Sequence, residues 1–221
     1  EVLSGRNVTL SGLSIVDGSA TDDGGPDSRG GGIYNSGGHL ILEGVEFRGN
    51  LADSNGGALY SSGGSLAIRN STFHDNEADT SGGADYISSG TAAVPTQITS
   101  STYSDTHSSS YGGAIYVPGG RYVEIVNSTL TANTSSNGAG GIHGVHPTLL
   151  TITLHNTIVA GNSGSGDTAS DVSASGFTTT SSYNLIGVTS SGAFGDDGNQ
   201  TIGTASPGLM PLADYGGPTK T

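Results

Sequence analysis

Gly30-Gly31-Gly32-Ile33-Tyr34-Asn35-Ser36-Gly37-Gly38, then Leu40-Ile41-Leu42, then Phe47-Arg48-Gly49-Asn50: this stretch returns 26 residues later. The second copy reads Gly56-Gly57-Ala58-Leu59-Tyr60, Leu66-Ala67-Ile68 and Phe73-His74-Asp75-Asn76. A period of this size marks a stacked-repeat architecture. Within each copy the apolar residues alternate, as in Leu40/Leu42, Leu66/Ile68, Val123/Ile125 and Ile152/Leu154. Alternation by two is a strand signal, and a helix would need a period near 3.6. Each repeat carries about three short strand signals split by Gly, Asn or Ser. One repeat is too small to bury a core, but repeats stacked at strand spacing share a continuous one. The expected fold is all-β: a right-handed parallel β-helix (β-solenoid) of about 6–7 rungs.

Working outward, repeats fall at about 2–29, 30–55, 56–81, 82–111, 112–139 and 140–170, with 171–221 an irregular C-terminal rung and cap. The whole of 1–221 reads as a single β-helix domain. Four columns align. Tyr34, Tyr60, Tyr86, Tyr116 and His143 form one, with steps of 26, 26, 30 and 27. Ile15, Phe47, Phe73, Tyr103, Leu130 and Val159 form a large apolar column. Asn50, Asn76, Thr106, Asn133 and Asn162 form an amide column, and Gly44, Asn70, Ser100, Asn127 and Asn156 a second polar one. Asn tolerates the left-handed backbone of a turn. Stacked amides also hydrogen-bond along a solenoid. Asn50, Asn76, Asn133 and Asn162, with Tyr34, Tyr60, Tyr86 and Tyr116, are therefore read as structural ladder and core positions. The fourth repeat is longer and more polar, and its core slots weaken to Ile98 and Tyr103.

Composition narrows function. The 221 residues include 39 Gly and only 6 Lys plus Arg, with a formal net charge of −13. Nucleic-acid contacts need cations, so no nucleic-acid partner is expected. An anionic membrane is disfavoured, and no apolar run is long enough to span one, so no direct membrane insertion is expected. There is no Cys, hence no disulfide or thiolate site.

Gly56-Gly57-Ala58-Leu59 with Phe73-His74-Asp75-Asn76, and Gly112-Gly113-Ala114-Ile115 with Leu130-Thr131-Ala132-Asn133, resemble the GGA(I/L/V) and FxxN repeats of polymorphic outer-membrane proteins. Three later stretches look like the choice-of-anchor β-helix proteins of bacteria: Asn156-Thr157-Ile158-Val159-Ala160-Gly161-Asn162, Tyr183-Asn184-Leu185-Ile186-Gly187, and the run from Pro211-Leu212-Ala213-Asp214-Tyr215 to Thr219. The resemblance implies an extracellular or cell-surface (secreted) protein of the adhesin and passenger kind. A cell-surface glycan or host surface is the partner that fits.

The expected function is a non-enzymatic surface structural or adhesive module. One alternative is a polysaccharide-active enzyme of the pectate-lyase type. Lyase chemistry needs a base beside Ca²⁺-holding carboxylates, and hydrolysis needs paired carboxylates on one face. The strand-borne acids are few: Glu43, Glu46 and Glu124. Glu43 aligns with Arg69 one rung on, which reads as surface charge pairing. No catalytic residue is assigned. A second alternative is a fibre subunit. No capping helix precedes Val8, and an end-to-end contact that does not close on itself propagates.

No cofactor is expected apart from a candidate Ca²⁺ site. Asp53 and Asp79 each follow a ladder Asn by three, so they stack one rung apart. Asp22 and Asp23 fall in the same loop of the rung before. Stacked like charges repel unless solvated, paired or bridged by a cation. Asp196-Asp197-Gly198-Asn199 is a weaker scrap of the same kind. His143 and His146 resemble a zinc pair, but His143 sits in the Tyr column. Asn70 and Asn127 match the glycosylation acceptor pattern and are expected to be buried in the ladder.

Overall fold

The computed structural model describes residues 1–21, 28–145, 150–167, 170–174, 181–189, 200–201 and 207–213. Alternating β-branched and aliphatic residues between Gly and Asn turns fold into short strands, and each rung lies on the next. The second rung runs Ile33–Ser36, His39–Glu43, Glu46–Arg48 and Leu51–Ala52. The third runs Leu59–Ser62, Ser65–Arg69, Thr72–His74 and Glu77–Ala78. Corresponding strands pair in parallel and build four sheets, numbered 1 to 4 in chain order within a rung.

These rungs thus have four strands each where the alternation signals about three. The extra strand, such as Leu51–Ala52, is two residues long. That is too short to show a period. Among the described residues, five rungs carry all four strands. A sixth has three strands and closes with a bridge between Thr134 and Ser163, and Val172–Ala174 with Leu185–Ile186 begin a seventh.

The core is a set of columns. Phe47, Phe73 and Tyr103 stack face to face at 4.7 Å and 4.5 Å, with rings 5° and 2° from parallel. The stack continues through Leu130 and Val159 in register. Leu40, Leu42, Leu66, Ile68, Ile98 and Ile125 fill sheet 2's inner face.

The turns explain the polar columns. Between sheets 2 and 3 the chain turns through a left-handed residue at Gly12, Gly44, Asn70, Ser100, Asn127 and Asn156, with φ from 49° to 62°. Between sheets 3 and 4 the left-handed residue is Asp17, Gly49, Asp75, Asp105, Ala132 or Gly161. The amide-column residue comes just after it, points inward and is buried at Asn50, Asn76, Asn133 and Asn162. Asn50 Nδ2 donates to Asn76 Oδ1 at 2.8 Å, and Asn133 Nδ2 to Asn162 Oδ1 at 2.8 Å. At Thr106 the amide chain is interrupted: Thr106 bonds onward to Asn133, while Asn76 donates back to the Phe47 carbonyl. At the far end Asp171 Oδ1 accepts from both the backbone and the amide of Asn162.

The second Gly of the Gly-Gly pair is needed for space. A Cβ on Gly57 would lie 2.2 Å from the Gly83 carbonyl oxygen of the next rung. A further column, invisible in the Ser-rich sequence, runs through Ser71, Ser101, Ser128 and Thr157. Each side-chain oxygen accepts a backbone N–H from the rung before.

Asn70 and Asn127 depart from the expectation of burial. Their turn conformation carries them outward, Asn70 to a half-buried position and Asn127 to an exposed one.

Candidate functional site

The Tyr column is not in the core. In sheet 1 the residue before each Tyr is the one turned into the core: Ile33, Leu59, Asp85 and Ile115 point inward, and so does Ile142 before His143. Successive strand residues alternate faces, so Tyr34, Tyr60, Tyr86, Tyr116 and His143 line the outer face. Registration is rung to rung: Tyr34 on Tyr60, Tyr60 on Tyr86, Tyr86 on Tyr116, Tyr116 on His143. The sequence column was a ladder, but an external one.

The tyrosine ring centres are 5.3, 4.8 and 5.2 Å apart along the row. His143 continues it 6.0 Å from Tyr116 and nearly parallel, and Tyr111 packs beside His143 at 4.7 Å. The neighbouring outward positions are Ser36, Ser62, Ser88, Pro118 and Val145. On a chain of net charge −13, this face of the five strands from Ile33–Ser36 to Ile142–Val145 bears no carboxylate.

Two cations border it. The Arg29 guanidinium lies 5.2 Å from the centre of the Tyr60 ring, and Tyr60 is only 8% exposed. Arg121 acts with Arg29 on Tyr86. The Nε atoms of both arginines are buried without a hydrogen-bond partner. Burial, with the phenols of Tyr60 and Tyr116, raises the Tyr86 pKa, against the smaller opposing effect of the two arginines. Burial also raises that of Tyr116 and lowers that of His143. At neutral pH Tyr86 and Tyr116 are therefore neutral phenols able to donate and accept.

The acidic-loop residues behave differently. Asp53 and Asp79 occupy equivalent positions one rung apart, since Asp79 N donates to the Ala52 carbonyl and Asp53 N to the Ala20 carbonyl. Both are exposed. Among the described residues no group of three His, Asp or Glu side chains converges as a metal cage. Asp22, Asp23, His146 and the 196–199 segment lie outside the described residues. Glu43 sits in register with Arg69, yet its carboxylate accepts from Asn70 Nδ2 at 2.6 Å, and the two charges form no ion pair.

A cluster that spacing did not reveal lies on the outer face of sheet 3. His74 Nε2 is 3.0 Å from Glu46 Oε1, and its Nδ1 is 2.8 Å from Asp75 Oδ2. Glu46 also accepts from Ser14 Oγ. A carboxylate faces each ring nitrogen of His74, so neither nitrogen is open to a substrate. Nearby, Thr102, Ser104, Thr129 and Thr131 face Leu209, Met210 and Leu212 across a cavity of about 340 Å³. His74 does not line it. The only sequence hint of this cluster was that Glu46 and His74 fall in neighbouring strands of one column set.

Residues 44–62 match the model of the Chlamydia polymorphic membrane protein repeat. The match runs from the turn at Gly44 through Phe47 and Asn50 to the Gly56-Gly57-Ala58-Leu59-Tyr60 segment, so it includes one outward Tyr of the row. No curated protein and no solved structure matches the chain.

Proposed function

We infer that this chain is a non-enzymatic cell-surface module in which the solenoid is a stiff support and the outer face of sheet 1 is the contact surface. The observation that carries the reading is the row Tyr34, Tyr60, Tyr86 and Tyr116, held in register on the outside. A core needs no aromatic on its solvent side. Tyr and Arg, in contrast, are the residues that dominate protein recognition surfaces, because they offer large, rigid area with a polar tip. The family match over residues 44–62 supports placement at a cell surface. The non-enzymatic part is supported by two of the three strand acids: Glu43 is held by Asn70, and Glu46 by His74 and Ser14.

The test is adhesion of the labelled chain to cultured host-cell monolayers, beside a Tyr86→Ala variant whose fold is checked by circular dichroism. The expected result is saturable binding that falls at least about tenfold in the variant, the loss of one strong anchor. Binding indifferent to the substitution would remove the sheet 1 surface from the reading. Incubation with acidic and neutral polysaccharides tests the rest. New reducing ends or unsaturated products would replace the module with an enzyme.

A further inference from the structure

The contact face has a chemistry of its own. Neighbouring tyrosines are 4.8 to 5.3 Å apart, so most ring faces are covered by the next ring. What remains outward is edges. An aromatic edge carries the positive end of the ring quadrupole, and here it carries the phenol O–H as well. The serine column alongside adds aliphatic hydroxyls. Arg29 and Arg121 make no ion pair with a described carboxylate and leave Nε unbonded. They are two of only six Lys and Arg residues in the chain. The acid nearest in sequence register, Asp85, points into the core. Among the described residues, an acidic molecule thus keeps one strip of donors and cations clear of carboxylates.

We propose that this strip binds a linear oligosaccharide bearing carboxylates, laid along the tyrosine row with its hydroxyls on the phenols and its acid groups on Arg29 and Arg121. The proposal rests on the sheet 1 contact reading and names its partner. Guanidinium and carboxylate match as bidentate pairs. A repeating sugar chain also suits a surface that repeats at every rung. A peptide that docks by adding a strand needs an open sheet edge. The central strands of sheet 1 are paired on both sides, which closes that route. Tyr86 and Tyr116, with pKa raised by burial, stay protonated at neutral pH and keep their donors.

The experiment is calorimetric titration of the whole chain with oligogalacturonate, its methyl ester, a sulfated oligosaccharide of equal length and oligoglutamate. Oligogalacturonate is expected to bind, weakening as salt rises, and the methyl ester at least about tenfold less well. The Arg29→Gln/Arg121→Gln variant is expected to lose at least about tenfold while Arg29→Lys/Arg121→Lys retains part, since Lys keeps the charge but not the fork. Thermal melts of each variant accompany the titration. If the Gln pair lowers the melting midpoint, Tyr86→Phe, which removes only one hydroxyl, becomes the deciding variant and is expected to weaken binding several-fold.

Equal binding of the methyl ester, tighter binding of the sulfated chain, equal binding of oligoglutamate, or no binding at all would each overturn the proposal. So would binding unchanged in the Gln pair or, where that pair is unstable, in Tyr86→Phe. Cell adhesion that still depends on Tyr86 but survives enzymatic removal of surface glycans would leave the contact face standing and sink the saccharide.

Discussion

The third and fourth rungs are built on one backbone plan and hold themselves together differently. Leu59 of the third rung lies in register with Asp85 of the fourth, and Phe73 with Tyr103. In the third rung both positions are apolar. In the fourth, two polar groups enter the core together, and the Tyr103 hydroxyl donates to Asp85 Oδ2 at 2.7 Å with both residues wholly buried. The aromatic stack runs on unbroken through Tyr103. A solenoid rung accepts polar atoms in its interior when one rung supplies both donor and acceptor. The match is incomplete, because Asp85 Oδ1 has no partner. Burial pushes the Asp85 carboxyl up to about 8, only partly offset by the Tyr103 bond.

Removing the two stacked rings in turn separates the two rungs most severely. Phe73→Ala is expected to cost about 3–5 kcal/mol, the usual range for an emptied aromatic site. Tyr103→Ala should cost more, since it opens the same cavity and also strands Asp85. Urea unfolding of both variants at pH 6 measures the order. A smaller loss for Tyr103→Ala would mean that the buried pair contributes nothing.

A gentler probe is pH. Unfolded, the Asp85 carboxyl gives up its proton near 3.8; folded, it keeps it until about 8. Between those values folding takes up a proton, so the contribution of this group is complete at the acid end and declines as pH rises to about 8. Asp85→Asn keeps the acceptor for Tyr103 and cannot ionise. It should flatten that slope and make the chain more stable than the parent at pH 8. Parallel slopes for the two proteins would refute the assignment.

The smallest effect concerns the amide ladder. Thr106→Asn should reconnect Asn76 with Asn133 and raise stability by about 0.5–1.5 kcal/mol, the net worth of one such hydrogen bond. The same change made against an Asn76→Ala background should gain less. Equal gains would show that the ladder does not pass through position 106.

Much of the fold was legible because a stacked repeat writes its register into the sequence. The offsets of Phe47, Phe73 and Tyr103, and of Asn50 and Asn76, are those of the paired strands. The candidate site was less so. Ile33-Tyr34 and Leu59-Tyr60 place two bulky residues side by side, and a strand turns only one of them into the core. The pattern does not say which, until the neighbouring Gly-Gly turn sets the phase. Arg29 and Arg121 lie outside the repeat columns, so no periodicity points to them. Ser71, Ser101 and Ser128 were hidden by composition: a column of serines is inconspicuous in a chain rich in them. Its one signal was a constant offset, each serine standing next to the left-handed residue.

The parallel sheets also have a mechanical meaning. Their hydrogen bonds point along the axis of the rod, so a pull on its two ends loads the rungs in series, and the weakest gives way first. Rung-by-rung parting peels bonds a few at a time, where a pull along the strands would shear whole rows together. The fourth rung combines an interrupted amide chain with a half-satisfied carboxyl in the core. Single-molecule extension is expected to record its first yield there, and a first yield within the third rung would contradict this. A rod stretched between two surfaces then carries a built-in fuse at its fourth rung, and its setting drifts with the acidity of the surroundings.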